Sequence, residues 1–272
     1  MNANKALWEK GDFTRIAATM RASGEALVRE AGIGPGLDVL DLGCGDGTTA
    51  IPAARLGANV MGIDISRYLV AAANARARAA GVADRCQVLE GDACELLGVE
   101  NGSFDRVVSI FGAMFAPRPF DVAREMVRVT RPGGRILMGN WIPGDPTLVA
   151  QILRISAAYA PPPPAGFVSP MTWGVQAHVL QRFGQAGVPE EAIRCAPATY
   201  LFDFEGSPAE FVDLFRLYYG PTMNAFEAAR AQGRADALRD ELVALFEQQN
   251  QSRSGGRTVI AASYLRVTVD VA

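Results

Sequence analysis

The stretch VLDLGCGDG, residues 39–47, constrains the fold more than any other part of the chain. It is an apolar run ending in Asp41 and Leu42, followed at once by Gly43, Gly45 and Gly47. A short apolar run bounded by glycines reads as a buried strand. Glycines directly after it allow a ligand to come close to the backbone, because no Cβ stands in the way.

The same rhythm returns along the chain. ANVMGID (58–64) is a second strand running into an acid, and Ser66 is placed to cap a helix that extends to about Ala80. RCQVLEGDA (85–93) and FDRVVSIFG (104–112) give the third and fourth strands. A helix over FDVAREMVRVT (120–130) is closed by RPGG, with Gly133 and Gly134 as a tight turn, and RILMGNW (135–141) is the fifth strand. Strands alternating with helical patterns predict an α/β fold with a doubly wound, mostly parallel sheet. Two later strands, 198–206 and 257–269, bring the expected sheet to seven, the last of them antiparallel.

Before this core, residues 14–31 read as one amphipathic helix on the spacing of Ile16, Met20, Ala26, Leu27 and Ala31. After the fifth strand the rhythm stops. Residues 143–195 read as an insertion: a helix, the stiff segment PPPPAGFVSP (161–170), and a second helix around 173–184. At 272 residues the chain fits a single domain, 1–272, with residues 1–31 as an N-terminal helix or lid and 143–195 expected to cover an acceptor site.

Composition narrows the function. A formal net charge of −3 argues against a nucleic-acid partner. No apolar stretch has the length of a membrane span, and the N-terminus lacks a signal-peptide core. Cys44, Cys86, Cys94 and Cys195 form no C-x-x-C pair, so a reduced, cytoplasmic protein is expected. With one histidine in the chain, His178, no histidine-rich metal site is expected, and general-base candidates are few.

Parallel sheets bind ligands beyond the carboxyl ends of their strands. The dinucleotide fingerprint is G-x-G-x-x-G, and here the third glycine comes one residue early, with Asp46 directing negative charge towards the loop. Both features suit a cofactor that carries positive charge, such as S-adenosylmethionine, better than a pyrophosphate. Asp64, ending the second strand, is placed to accept hydrogen bonds from ribose hydroxyls, and Asp92 from an adenine amino group, with Ala93 at the ring edge. Asp41 is expected at the cofactor directly or through water.

VLDLGCGDG, GIDIS, EGDA, FDRVVS and RVTRPGGRILMGNW stand in the order and spacing of the class I S-adenosylmethionine-dependent methyltransferases, which the chain resembles over residues 37–142. It looks closest to small-molecule enzymes of the quinone-biosynthesis type and to a bacterial subgroup sharing LWEKGDF, FGAMFAP and PPPPAGFVSP. The resemblance implies a Rossmann-like methyltransferase fold. It implies cofactor contacts at Gly43, Gly45, Asp64, Ile65, Asp92 and Ala93, and at Ser109 beside the methionine part.

Phe111, Met114, Phe115, Trp141 and Trp173 are the candidate walls of an acceptor pocket. His178 is the first guess for a base, because the insertion is expected over the site. The expected reaction is methyl transfer to a small, partly apolar acceptor. The alternatives are a protein that binds this cofactor without transferring methyl groups, or an NAD-dependent oxidoreductase.

Overall fold

The computed structural model describes residues 3–163 and 166–272. The chain opens with three short helices, α1 (Ala3–Trp8), α2 (Thr14–Ala18) and α3 (Arg21–Glu30). It then enters β1 (Asp38–Leu42), α4 (Ala50–Arg55), β2 (Asn59–Asp64), α5 (Arg67–Ala79), β3 (Cys86–Glu90) and β4 (Phe104–Ile110). There follow α6 (Pro119–Val129), β5 (Thr130–Trp141), α7 (Leu148–Ala157), α8 (Gln176–Gln185) and β6 (Ile193–Phe204). The chain closes with α9 (Pro208–Tyr218), α10 (Gly220–Ala231), α11 (Ala235–Gln249) and β7 (Thr258–Asp270).

The seven strands form one sheet in the order β3-β2-β1-β4-β5-β7-β6. β1 pairs in parallel with β2 on one side and with β4 on the other, so the strand order reverses between β1 and β4. That reversal opens a cleft above the carboxyl ends of these strands. β7 runs antiparallel to both β5 and β6, as its terminal place in the chain led us to expect. Parallel strands covered on both faces carry near-continuous apolar runs, and Val39, Leu40 and Leu42 in β1 are fully buried. Helices cover the faces through periodic apolar stripes: Leu69, Ala73 and Ala77 in α5, and Val122, Met126 and Val129 in α6. The Ser66 hydroxyl caps α5 by accepting the Leu69 N–H at 3.4 Å.

Three expectations need correction. The helix expected over 14–31 is broken at Thr19 and Met20. There the Thr19 hydroxyl donates to the Ile16 carbonyl at 2.7 Å, and the Thr19 carbonyl accepts from Asp203 N at 2.8 Å. The break thus docks the N-terminal segment onto β6. Gly133 and Gly134 do not precede the fifth strand but lie inside β5, in an irregularity where the β4–β5 register jumps between Phe104 and Arg106. Gly133 has a φ of +77° and donates its N–H to the Val271 carbonyl at 2.7 Å.

The insertion, finally, does not lie over the site as a unit. Its first helix, α7, packs on α10, α11 and β7, whereas α8 packs on α6. Of the proline segment, Pro164 and Ala165 lie outside the described residues. Among the described residues no helix is long and apolar enough to cross a membrane.

Candidate functional site

The loop after β1 folds back on its neighbours through close backbone contacts. Gly43 N and Cys44 N both donate to the Ile63 carbonyl, at 2.7 and 3.2 Å. Gly43 has a φ of +70°, and a Cβ there would lie 2.7 Å from the backbone of Gly112. A Cβ on Gly112 would come within 2.2 Å of the Gly43 carbonyl oxygen. Two glycines are therefore needed where the loops after β1 and β4 touch. Gly45, by contrast, opens onto the cleft, where a Cβ would meet only the Phe13 ring at 3.9 Å.

Above this loop lies a cavity with about 890 Å³ of atom-free space, part of it open to solvent. Asp41, Gly43, Gly45, Asp64, Ile65, Asp92 and Ala93 all line it. Asp64 is held rigidly: one carboxylate oxygen accepts from Gly45 N at 2.8 Å and the other from Ser66 N at 2.9 Å. Each oxygen keeps lone-pair capacity for a further donor. Burial raises the Asp64 pKa above the usual carboxylate value, and the backbone N–H groups offset part of that rise.

Asp41 is only 1 % exposed, and its Oδ2 has no hydrogen-bond partner among the described residues. Its pKa is pushed up to about 7, first by burial and then by the charge of Asp64, with the Ala50 N–H pulling the other way. Asp92 is half-buried and accepts from Cys94 N at 2.8 Å, which fixes its loop.

The N-terminal segment closes the cavity from the solvent side. Trp8, Phe13, Ala17 and Met20 line it, and the Trp8 ring packs edge-on against Phe13 and Phe115 at 5.5 and 4.9 Å. Asp12 accepts from Thr14 N at 3.2 Å and from the Thr14 hydroxyl at 2.6 Å, which fixes the turn leading into α2. Salt links from Lys5 to Glu90 and from Lys10 to Glu227 tie this segment to the body of the protein. Both are on the surface and add little to stability individually.

A second, apolar chamber with about 430 Å³ of atom-free space, part of it open to solvent, adjoins the first. Met20 and Phe111 line both. Phe115 and Trp141 form part of its wall, as do Val149 and Ile152 from α7. Phe111 stacks on Trp141 with ring centroids 3.6 Å apart and planes within 9°. It adopts a φ of +58°, uncommon for a residue other than glycine.

Several residues singled out in the sequence stand elsewhere. Ser109 is 1 % exposed, and its hydroxyl donates to the Leu42 carbonyl at 2.6 Å while accepting Ala113 N at 2.9 Å. It ties β1, β4 and the following loop together and lines neither cavity. Met114 is 1 % exposed in the core, also outside both walls. Trp173 is equally buried, its indole under the Arg182 guanidinium at 4.4 Å, on the side of the fold where α8 packs. His178 lies on the exposed face of α8, so it is not placed to act as a base in either cavity. Asp46, by contrast, does line the first cavity, but its carboxylate is fully buried and paired with Arg21 at 2.9 Å and Arg76 at 3.0 Å.

Two tyrosines with no assigned role in the sequence complete the walls. Tyr200, from β6, lines the first cavity and donates its hydroxyl to the Met20 carbonyl at 3.0 Å. Tyr219, between α9 and α10, lines the second. Gly112 is the third omission, and its place in FGAM between strand and loop was the available signal.

Comparison with known proteins agrees with this arrangement. Residues 40–138, from the glycine loop through the β5 core, match the methyltransferase domain family. The uncharacterized protein Rv1403c of Mycobacterium tuberculosis is 36% identical over 226 residues, 83% of this chain and 80% of that protein. Among solved structures, a putative methyltransferase from Bacillus halodurans superposes with a TM-score of 0.58 at 16% identity, covering 91% of this chain and 98% of that one. The phosphoethanolamine N-methyltransferase 2 of Haemonchus contortus, solved with S-adenosyl-L-methionine, gives 0.56 at 18% identity, covering 92% of this chain and 53% of that one. The chain belongs to the class I S-adenosylmethionine-dependent methyltransferases.

Proposed function

We propose that the glycine-floored cavity holds S-adenosylmethionine and that the methyl group passes to a small, partly apolar acceptor seated in the adjoining chamber. The observation that carries this reading is the pair of buried carboxylates on one cavity wall, Asp41 with an unpartnered oxygen and Asp64 with spare lone pairs. Buried negative charge without a cation beside it is costly. A ligand that brings positive charge and hydroxyl donors relieves that cost.

In this assignment Asp64 accepts from the ribose hydroxyls, and Asp92 and Ala93 face the adenine. Gly43 and Gly45 let the cofactor approach the backbone, and Asp41 faces the positively charged methionine end. Ile65 packs beside the nucleoside. Bound there, the cofactor supplies a methyl group on a sulfonium, whose transfer leaves a neutral thioether.

The chain's own task is alignment and exclusion of water. Trp8, Phe13 and Met20 close the solvent side, and we assign the N-terminal segment the role of a lid. Phe111, shared by both cavities, sets the boundary across which donor and acceptor meet. Neither wall carries a histidine, and the reading favours an acceptor whose nucleophile needs little help in losing a proton.

The test is binding of S-adenosylhomocysteine by titration calorimetry to the wild type and to Asp64→Ala. Losing hydrogen bonds to a charged acceptor, worth about 1.5–3 kcal/mol, lowers affinity about ten- to a hundredfold. Unchanged affinity refutes the ribose assignment. Release of S-adenosylhomocysteine across a panel of phenols, carboxylic acids, amines and thiols then identifies the nucleophile. Tight binding without turnover on any of them points to a binding protein.

A further inference from the structure

The chamber beside the cofactor cavity has a chemical character of its own. Six of its eleven lining residues are aromatic: Phe111, Phe115, Trp141, Phe202, Phe215 and Tyr219. The other five are aliphatic or methionine, and none of the eleven carries a formal charge. The only N–H or O–H groups on these side chains are the Trp141 indole and the Tyr219 phenol. Neither makes a hydrogen bond among the described residues, although Trp141 is 3 % and Tyr219 8 % exposed.

Buried Trp and Tyr usually find a partner for their polar atom. Here both donors belong to the wall of an apolar cavity and lack one. The stacked Phe111–Trp141 pair is held in place at a cost, since Phe111 occupies the left-handed backbone region. Strain of this kind persists where the surrounding structure enforces it, often around ligand sites.

We propose that this chamber selects an uncharged, mainly apolar acceptor that bears an oxygen, and that the Trp141 N–H and the Tyr219 O–H donate to that oxygen. A charged head finds no counter-ion on this wall, so desolvation weighs against it. Two donors without a charged acceptor nearby favour a carbonyl, ether or hydroxyl oxygen. The inference rests on the reading of the adjoining cavity as the cofactor's, because it is the shared Phe111 and Met20 that make the chamber an acceptor site.

The experiment uses the full chain saturated with S-adenosylhomocysteine and a matched set of probes: 2-acetylnaphthalene, 2-naphthoate, 2-naphthylmethylammonium and naphthalene, each titrated by calorimetry. The neutral ketone is expected to bind more tightly than either charged analogue by about tenfold or more. Tyr219→Phe is expected to weaken the ketone about fivefold, the loss of one hydrogen bond, and to leave naphthalene unchanged. Leu153→Glu, at a half-buried α7 position of the wall, is expected to abolish ketone binding with S-adenosylhomocysteine affinity intact.

Equal binding of the three substituted probes, or preference for the carboxylate or the ammonium, overturns the proposal. So does an equal loss for ketone and naphthalene in Tyr219→Phe, which would reduce Tyr219 to packing. If no probe binds while S-adenosylhomocysteine still does, the chamber inference falls and the cofactor reading stands. If S-adenosylhomocysteine itself fails to bind, the cofactor reading falls first.

Discussion

Asp41 offers the sharpest test of whether the cavity is built around positive charge. Its folded-state pKa is about 7 against an ordinary 3.8, raised chiefly by burial and by the neighbouring charge of Asp64. Below pH 3.8 both folded and unfolded chains hold this proton. Between 3.8 and about 7 only the folded chain does, so raising the pH through that window favours unfolding. The rise spans about three pH units, or about 4 kcal/mol at 1.36 kcal/mol each, and the loss is complete above pH 7.

Asp41→Asn keeps the shape and removes this titration. The stability of the variant minus that of the wild type, without cofactor, is therefore expected to grow by about 4 kcal/mol between pH 4 and pH 8. Urea denaturation at several pH values measures it, and taking the difference between pH values cancels any fixed cost of the amide. Cofactor binding moves in the opposite sense. A cationic ligand binds the ionised form, so the wild type is expected to release about half a proton per S-adenosylmethionine at pH 7, and the variant none. Calorimetry in buffers of different ionisation enthalpy reads that number. A stability difference that stays constant with pH, to within about 1 kcal/mol, would refute the reasoning, because the carboxyl would then not be titrating inside the folded site.

Three further outcomes follow from contacts already described. Ser109→Ala leaves the Leu42 carbonyl and the Ala113 N–H without their partner in a buried place, and should lower stability by about 1–3 kcal/mol in denaturant unfolding; a neutral result would mean that the hydroxyl is not the tie between these strands. Gly112→Ala places a Cβ 2.2 Å from the Gly43 carbonyl and must displace the glycine loop, so both thermal stability and S-adenosylhomocysteine affinity should fall, and wild-type affinity would show that the two loops do not need this contact. His178→Ala should leave turnover within about twofold, since surface changes away from such features are usually small; a pH-dependent loss of rate would return the imidazole to the mechanism.

The elements legible in the sequence are those whose signal is local. VLDLGCGDG announces a buried strand and a glycine turn because both depend on residues adjacent in the chain, and Ser66 announces its helix because a cap reaches three residues ahead. The same holds for the acid that ends β2, whose position above the sheet follows from strand polarity alone. Asp46 shows the limit. Its place in the loop was legible, but its neutralisation by Arg21 and Arg76 depends on two helices that the loop sequence does not mention. Ser109 misleads for a related reason: a polar residue ending a strand at the cleft can face a ligand or tie two loops, and only the position of Leu42 and Ala113 decides.

The apolar chamber lay further out of reach, and the reason bears on how such an enzyme changes its acceptor. Its wall is drawn from Ile16 and Met20, the loop after β4, the end of β5, α7, β6, α9 and the turn after it, segments spread over some two hundred residues. Each contributes one to three side chains that look, in their own segment, like ordinary core. Trp173 and Met114 have the same apolar character and went into the core, while Tyr219 and Phe202 did not draw notice and form the chamber. The cofactor cavity is different: much of its floor comes from consecutive residues after β1 and β2, fixed by backbone hydrogen bonds from Gly43, Cys44, Gly45 and Ser66. A substitution in α7 or at Tyr219 can therefore reshape the acceptor site without touching any of those bonds. In the proposed assignment, donor binding and acceptor choice rest on two sets of wall residues that share Met20 and Phe111 and touch through the rings of Trp8 and Phe13 against Phe115 and Tyr219. Leu153→Glu, by abolishing probe binding while sparing the cofactor, would demonstrate that separation.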